Sequence, residues 1–144
     1  MVNDIIHIIY TVSPYFSQSY ALMVEYNRGK DEEAKLWVHF GNLGMDFIEP
    51  TPWRTDIRNI KKSEPYKLNI EESKSIIMEL ESLNISPVPE FTTGCDGTQY
   101  KLTIDRGLNG AAYRWWCDLP PEWKAFEPLI VRFENIINTK RANA

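Results

Sequence analysis

The sequence predicts an α+β fold: a single antiparallel sheet of about five strands, in the order βββ-α-ββ-α, with two helices packed on one face. Three observations predict it. Strand-like runs with a period of two fill residues 4–40, a capped amphipathic segment follows Asn69, and residues 95–123 read as a hairpin that ends in a proline-rich turn.

Residues 4–12 (DIIHIIYTV) are β-branched and apolar on both faces, which places this strand centrally in the sheet or under a helix. Residues 13–19 form a polar and aromatic loop carrying Pro14, Tyr15 and Phe16. Tyr20, Leu22, Val24 and Tyr26 then alternate with Ala21, Met23 and Glu25. Residues 27–33 read as a hairpin loop containing the acidic triplet Asp31, Glu32 and Glu33, and residues 34–40 return as a third strand. Residues 41–62 hold two glycines and two prolines without a sustained period, so they read as a surface connection with Trp53 tucked in.

Asn69 stands at an N-cap with Glu72 three residues on, close to a capping box. Ile76, Ile77, Leu80 and Leu83 form the apolar stripe of the helix, with Ser73 at its edge. Asn84 is expected to end the helix in the left-handed conformation, and Pro87 and Pro89 prevent its resumption. Asp96 and Gly97 then make a turn. Tyr100, Leu102 and Ile104 alternate with Gln99, Lys101 and Thr103, and glycines at 107 and 110 flank a reversal at Leu108 and Asn109. On the return strand Tyr113, Trp115 and Cys117 share one face, with Arg114 and Trp116 on the other. Residues 119–123 read as a turn or short 3₁₀ segment. Pro128 suits the first position of a last helix with the stripe Leu129, Ile130, Phe133, Ile136 and Ile137. Residues 1–144 are expected to form one globular domain, with 139–144 as a frayed tail.

Composition narrows the function. Hydrophobic content of 43% with 25% charged residues belongs to a folded chain, and a net charge of −4 disfavours nucleic acid as a partner. The one local basic cluster, Arg58, Lys61 and Lys62, reads as a solvated loop. No window approaches the apolar length of a membrane span, and the first residues lack the basic start of a signal peptide. The expected location is cytoplasmic, with Cys95 and Cys117 as reduced thiols, although their places near the open end of one hairpin also permit a disulfide.

No pattern selects a reaction. The only histidines, His7 and His39, lie in different strands without the spacing of a zinc site, so no metal or cofactor is expected. A nucleophile elbow and a phosphate-binding loop are both absent. Asp96 with Lys101 (or Glu90) superficially suits a metal-dependent nuclease or other hydrolase, but Asp96 is too close in sequence to sit on the separate strand that such a site uses.

The C-terminal half carries a further pattern: Pro87-Val88-Pro89-Glu90, Asp96-Gly97-Thr98, Tyr100, Leu102, Tyr113, Trp115-Trp116, Pro120-Pro121 and Trp123. Over residues 66–137 this resembles a set of small, uncharacterised bacterial proteins. The resemblance implies the same helix–hairpin–turn arrangement and brings no activity with it.

The expectation is therefore a non-catalytic cytoplasmic binding protein, an immunity protein that neutralises a bacterial toxin by stoichiometric contact. The alternatives are the acidic-site hydrolase and a small-molecule sensor or anti-defence protein. Arg114 and Trp116 on the expected open sheet face, the acidic residues Asp31, Glu32 and Glu33, and the loop aromatics Tyr15 and Phe16 are the candidate partner-binding residues.

Overall fold

The computed structural model describes residues 4–41, 60, 61, 63–92, 94 and 96–143. The fold is α+β. Strands β1 (Ile5–Pro14), β2 (Tyr20–Asn27), β3 (Asp31–Phe40), β4 (Tyr66–Lys67), β5 (Thr98–Arg106) and β6 (Asn109–Trp116) form a six-stranded sheet, β4-β3-β2-β1-β5-β6, in which every pairing is antiparallel. Helix α1 (Ile70–Glu81) follows β4. A 3₁₀ segment (Pro121–Phe126) leads into α2 (Glu127–Ala142). The two-sided apolar character of β1 has its explanation here, because β1 pairs with β2 on one edge and β5 on the other.

Even-numbered side chains of β1, β2, β3 and β5 and odd-numbered ones of β6 face the helices. Ile8, Tyr10, Leu22, Val24, Leu36, Leu102 and Trp115 meet Ile76, Ile77, Phe126, Leu129, Phe133 and Ile137 there, all buried. Tyr100 stacks on Trp115 (5.5 Å between centroids, 6° between planes), and Tyr113 packs edge-on against Trp123 at 5.4 Å. Much of the aromatic surplus is thus spent inside.

The opposite face differs from expectation. A half-solvated surface was expected, but Ile9, Ala21, Met23 and Trp37 are buried there in a second cluster with Ile60. Lys61 lies over the Trp37 ring at 5.1 Å and binds Glu25 at 2.8 Å, and His7 Nε2 meets the same carboxylate at 2.9 Å. His7 and His39 are not neighbours, since β2 lies between their strands. Trp53, Arg58, Lys62 and Cys95 lie outside the described residues.

Other boundaries also move. Asp31, Glu32 and Glu33 open β3 instead of forming a loop, and the turn before them uses Gly29 at φ 83°. Helix α1 ends at Ser82 in right-handed conformation, so Asn84 is not a left-handed cap. The second hairpin turns on Gly107 and Leu108, with Arg106 paired to Asn109, so Gly110 belongs to the strand. Helix α2 continues to Ala142, beyond the tail predicted from 139.

The β3 edge of the sheet is closed by specific groups. The Ala34 N–H donates to Ser73 Oγ (2.8 Å), whose hydroxyl donates in turn to the Asn69 carbonyl (2.8 Å), while the Leu68 N–H donates to the Ala34 carbonyl (2.9 Å). Asn69 Oδ1 caps α1 by accepting the Glu72 N–H at 2.8 Å, as the sequence predicted. Removing a buried partner leaves an amide unsatisfied, so Ser73→Ala is expected to lower stability by about 1–3 kcal/mol in urea unfolding. Thr103 presents the opposite case, with its hydroxyl buried and without a hydrogen bond among the described residues. Thr103→Val is expected to raise stability by about 1 kcal/mol in the same measurement.

Candidate functional site

The sheet end formed by the β1–β2 loop, the start of β5 and the end of β6 gathers most of the exposed aromatics. The Tyr15 N–H donates to the Gly97 carbonyl (3.1 Å), which fixes the β1–β2 loop to the start of β5. Tyr15 and Phe16 pack edge to face at 4.6 Å and 77°, yet are 62% and 85% exposed. Gly97 also lies against Trp116: a β-carbon there would come 3.1 Å from the indole Nε1, and one at Gly94 would come 2.5 Å from the same atom. The indole takes the space a side chain would need at Gly94, and at Gly97 the Cys117 Sγ, 2.5 Å from such a β-carbon, takes it together with the indole. Trp116 is half-buried, with Gly94 and Gly97 against its indole, and most of the 41–62 connection, the other candidate cover, lies outside the described residues.

Beyond Trp116 a groove of about 670 Å³ runs along β6, lined by Pro89, Phe91, Arg114, Trp116 and Asp118 among others. Phe91 is 87% exposed and Val88 is exposed with it. The segment bearing them is held by two bonds: the Trp123 indole N–H donates to the Ser86 carbonyl (2.8 Å), and the Glu90 N–H to Glu122 Oε2 (2.8 Å). Tyr15, Phe16, Phe91 and Trp116 thus share one end of the sheet. Arg114 projects from the exposed edge strand beside them.

The acidic triplet lies elsewhere. Glu32 pairs with Lys74 of α1 at 2.9 Å, Asp31 accepts the Glu33 N–H at 3.3 Å, and only Glu33 of the three is exposed. Glu32 fastens β3 to α1, and none of the three joins the aromatic end. Asp96 stands in the bend before β5 while Lys101 is within the strand, and no group of three potential metal ligands occurs among the described residues.

A second concavity of about 940 Å³ opens between α1 and α2 over β3 and β4. Its floor is Leu36, Val38, Phe40, Leu68, Ile76 and Ile136, and its rim includes Glu71, Glu72 and Lys140. Arg132 spans the two helices, donating to Ser75 Oγ at 3.2 Å and lying 3.7 Å from Glu79. The Lys140 ammonium covers the Tyr66 ring at 4.3 Å. This cleft arises from helix placement, and no local motif announces it.

The remaining polar cluster is Glu134. Its carboxylate accepts the Tyr10 hydroxyl (2.6 Å) and the Tyr20 hydroxyl (2.9 and 3.0 Å to its two oxygens). An acid between Phe133 and Ile137 on an apolar helix stripe was the available sequence signal for it, and it went unused. The geometry binds a helix to a sheet, with Tyr10 fully buried and Tyr20 and Glu134 half-buried.

Comparison of the chain with protein-family models, with curated proteins and with solved structures returns no match. The molecule's own chemistry has to carry its interpretation.

Tyr10 and Tyr20 on the alkaline side and Glu25 on the acid side make stability depend on pH. Burial first, and then the Glu134 carboxylate, hold the Tyr10 and Tyr20 hydroxyls well above the ordinary tyrosine value. A group raised on folding contributes fully below its unfolded value, about 10, and loses that contribution as pH rises. Burial alone would raise the Glu25 carboxyl, but bonds from Lys61 and His7 outweigh it and hold the group below the usual range. A depressed carboxyl contributes above its unfolded value, about 4.3, and loses that contribution as pH falls. Urea stability is expected to drop above about pH 10, with Tyr10→Phe reducing the alkaline loss. Glu25→Gln is expected to reduce the loss on the acid side.

Proposed function

We propose that this chain is a non-catalytic binding protein of the immunity type, which neutralises a toxin domain by stoichiometric protein–protein contact through its aromatic sheet end. The single observation that carries the reading is the exposed Tyr15–Phe16 pair, held in place by the Gly97 carbonyl beside Trp116 and Phe91. Rigid, preorganised aromatics supply contact area at low entropic cost, which is the usual composition of a binding hot spot. Two adjacent exposed aromatics on a loop whose main chain is tied to the start of β5 form an apolar patch suited to a partner surface. A net charge of −4 favours a protein ligand over nucleic acid.

The test is affinity capture of the partner from lysate of the native host, followed by titration calorimetry with the purified pair. Phe16→Ala and Tyr15→Ala are each expected to raise the dissociation constant by about thirtyfold or more, the loss typical of a hot-spot side chain. A Glu32→Lys substitution far from this end is expected to leave affinity unchanged. An equal loss in all three variants, or none in the aromatic pair, would remove this surface from consideration.

A further inference from the structure

The two edges of the sheet are finished differently. The β3 edge is closed by β4, Leu68 and the Ser73 hydroxyl, whereas β6 pairs only with β5 among the described residues. The Cys117 N–H donates to the Thr98 carbonyl (2.8 Å), which fixes the phase of the ladder. Odd-numbered residues of β6 turn their main chain towards β5, and Gly110, Ala112 and Arg114 turn theirs outward. All three are exposed, and their outward N–H and C=O groups have no hydrogen bond among the described residues. Such an edge is a template for one more strand.

Its side chains are complementary to themselves. Consider a second copy of β6 running antiparallel about a two-fold axis through Ala112. Ala112 then faces Ala112, Gly110 faces Arg114, and Leu108 faces Trp116 of the other copy. Each of these pairings fits. Gly110 has no side chain, and the carboxylate of Asp105, its partner on β5, occupies the space above it, where a β-carbon would collide with Oδ1. The incoming Arg114 therefore arrives beside a carboxylate. Neither Arg114 nor Asp105 has an ion-pair partner among the described residues, and symmetry makes the new pair twice. Leu108, at the hairpin tip, is fully exposed. Opposite it in this register lies the Trp116 end of the groove, lined by Pro89 and Phe91 and of sufficient volume for an aliphatic side chain.

We propose that the outer edge of β6 is the seam of a two-fold homodimer in which the two sheets join into one, with Arg114 of each copy bound at Asp105 of the other and Leu108 of each copy seated against Trp116 of the other. The seam accounts for Arg114 and takes up the Trp116 side of the aromatic end, while Tyr15 and Phe16, two strands in from the edge, stay free; oligomeric state measured without a partner therefore tests it apart from the toxin-binding reading.

Sedimentation equilibrium of the full chain tests it without any partner. The expected result is a dimer. Ala112→Pro removes an outward N–H and no bond to β5, so it is expected to keep the fold by circular dichroism while weakening dimerisation at least about tenfold. Arg114→Asp is expected to weaken it by a similar factor, and combining it with Asp105→Lys is expected to restore the dimer. The charge exchange decides the matter even if the proline variant fails to fold. A monomer at every concentration up to about 0.5 mM, a dimer unchanged by these variants, or no restoration in the exchanged pair would each overturn the proposal.

Discussion

The rest of the structure depends on one strand satisfying four neighbours at once. β1 exchanges main-chain bonds with β2 and with β5, and it buries side chains against the helices on one face and the Ile60 cluster on the other. Every other element is positioned relative to it. The meander β2–β3–β4 extends the sheet from one edge of β1, and the β5–β6 hairpin extends it from the other. Just ahead of the strand, Asp4 accepts two bonds from Arg106 at 2.8 and 2.6 Å and ties the start of β1 to the end of β5.

The helices attach to this sheet by different means. α1 is fixed through hydrogen bonds from its first turn to the β3 edge and through Glu32 with Lys74. α2 is fixed by apolar burial of Leu129, Phe133 and Ile137 and by the Glu134 carboxylate between two tyrosine hydroxyls. Two anchorages that do not depend on each other let the helices stand apart, and the cleft over β3 and β4 is the space left between them. The Arg132 bridge sets how far they separate.

The sequence made the elements legible where the signal was local. The Asn69 cap, the alternation in β2, β5 and β6, and the opposite facing of Trp115 and Trp116 are properties of a few adjacent residues, and each appears in the structure. What could not be read was tertiary. Whether the second sheet face lies open depends on which segment covers Met23 and Trp37, and no period in the chain encodes that. The acidic triplet looked like a loop because charge is common in turns, yet Glu32 lies within β3 and pairs with Lys74 across the layer. The candidate site was half visible. Tyr15, Phe16, Trp116 and Arg114 stood out by type, while Phe91 and Gly97 acquire meaning only once the loop and the hairpin meet.

The central place of β1 also has a consequence during translation. By the time β3 has been made, β1 has its β2 partner, but the strand that completes its other edge ends at Arg106. At elongation rates of about 5–20 residues per second the wait is on the order of several seconds. Throughout that interval the nascent chain presents an apolar strand edge with its amides unsatisfied. Chaperone demand on this protein should therefore be set by ribosome speed between the two halves of the sheet, and slow codons in that stretch would be costly to its yield.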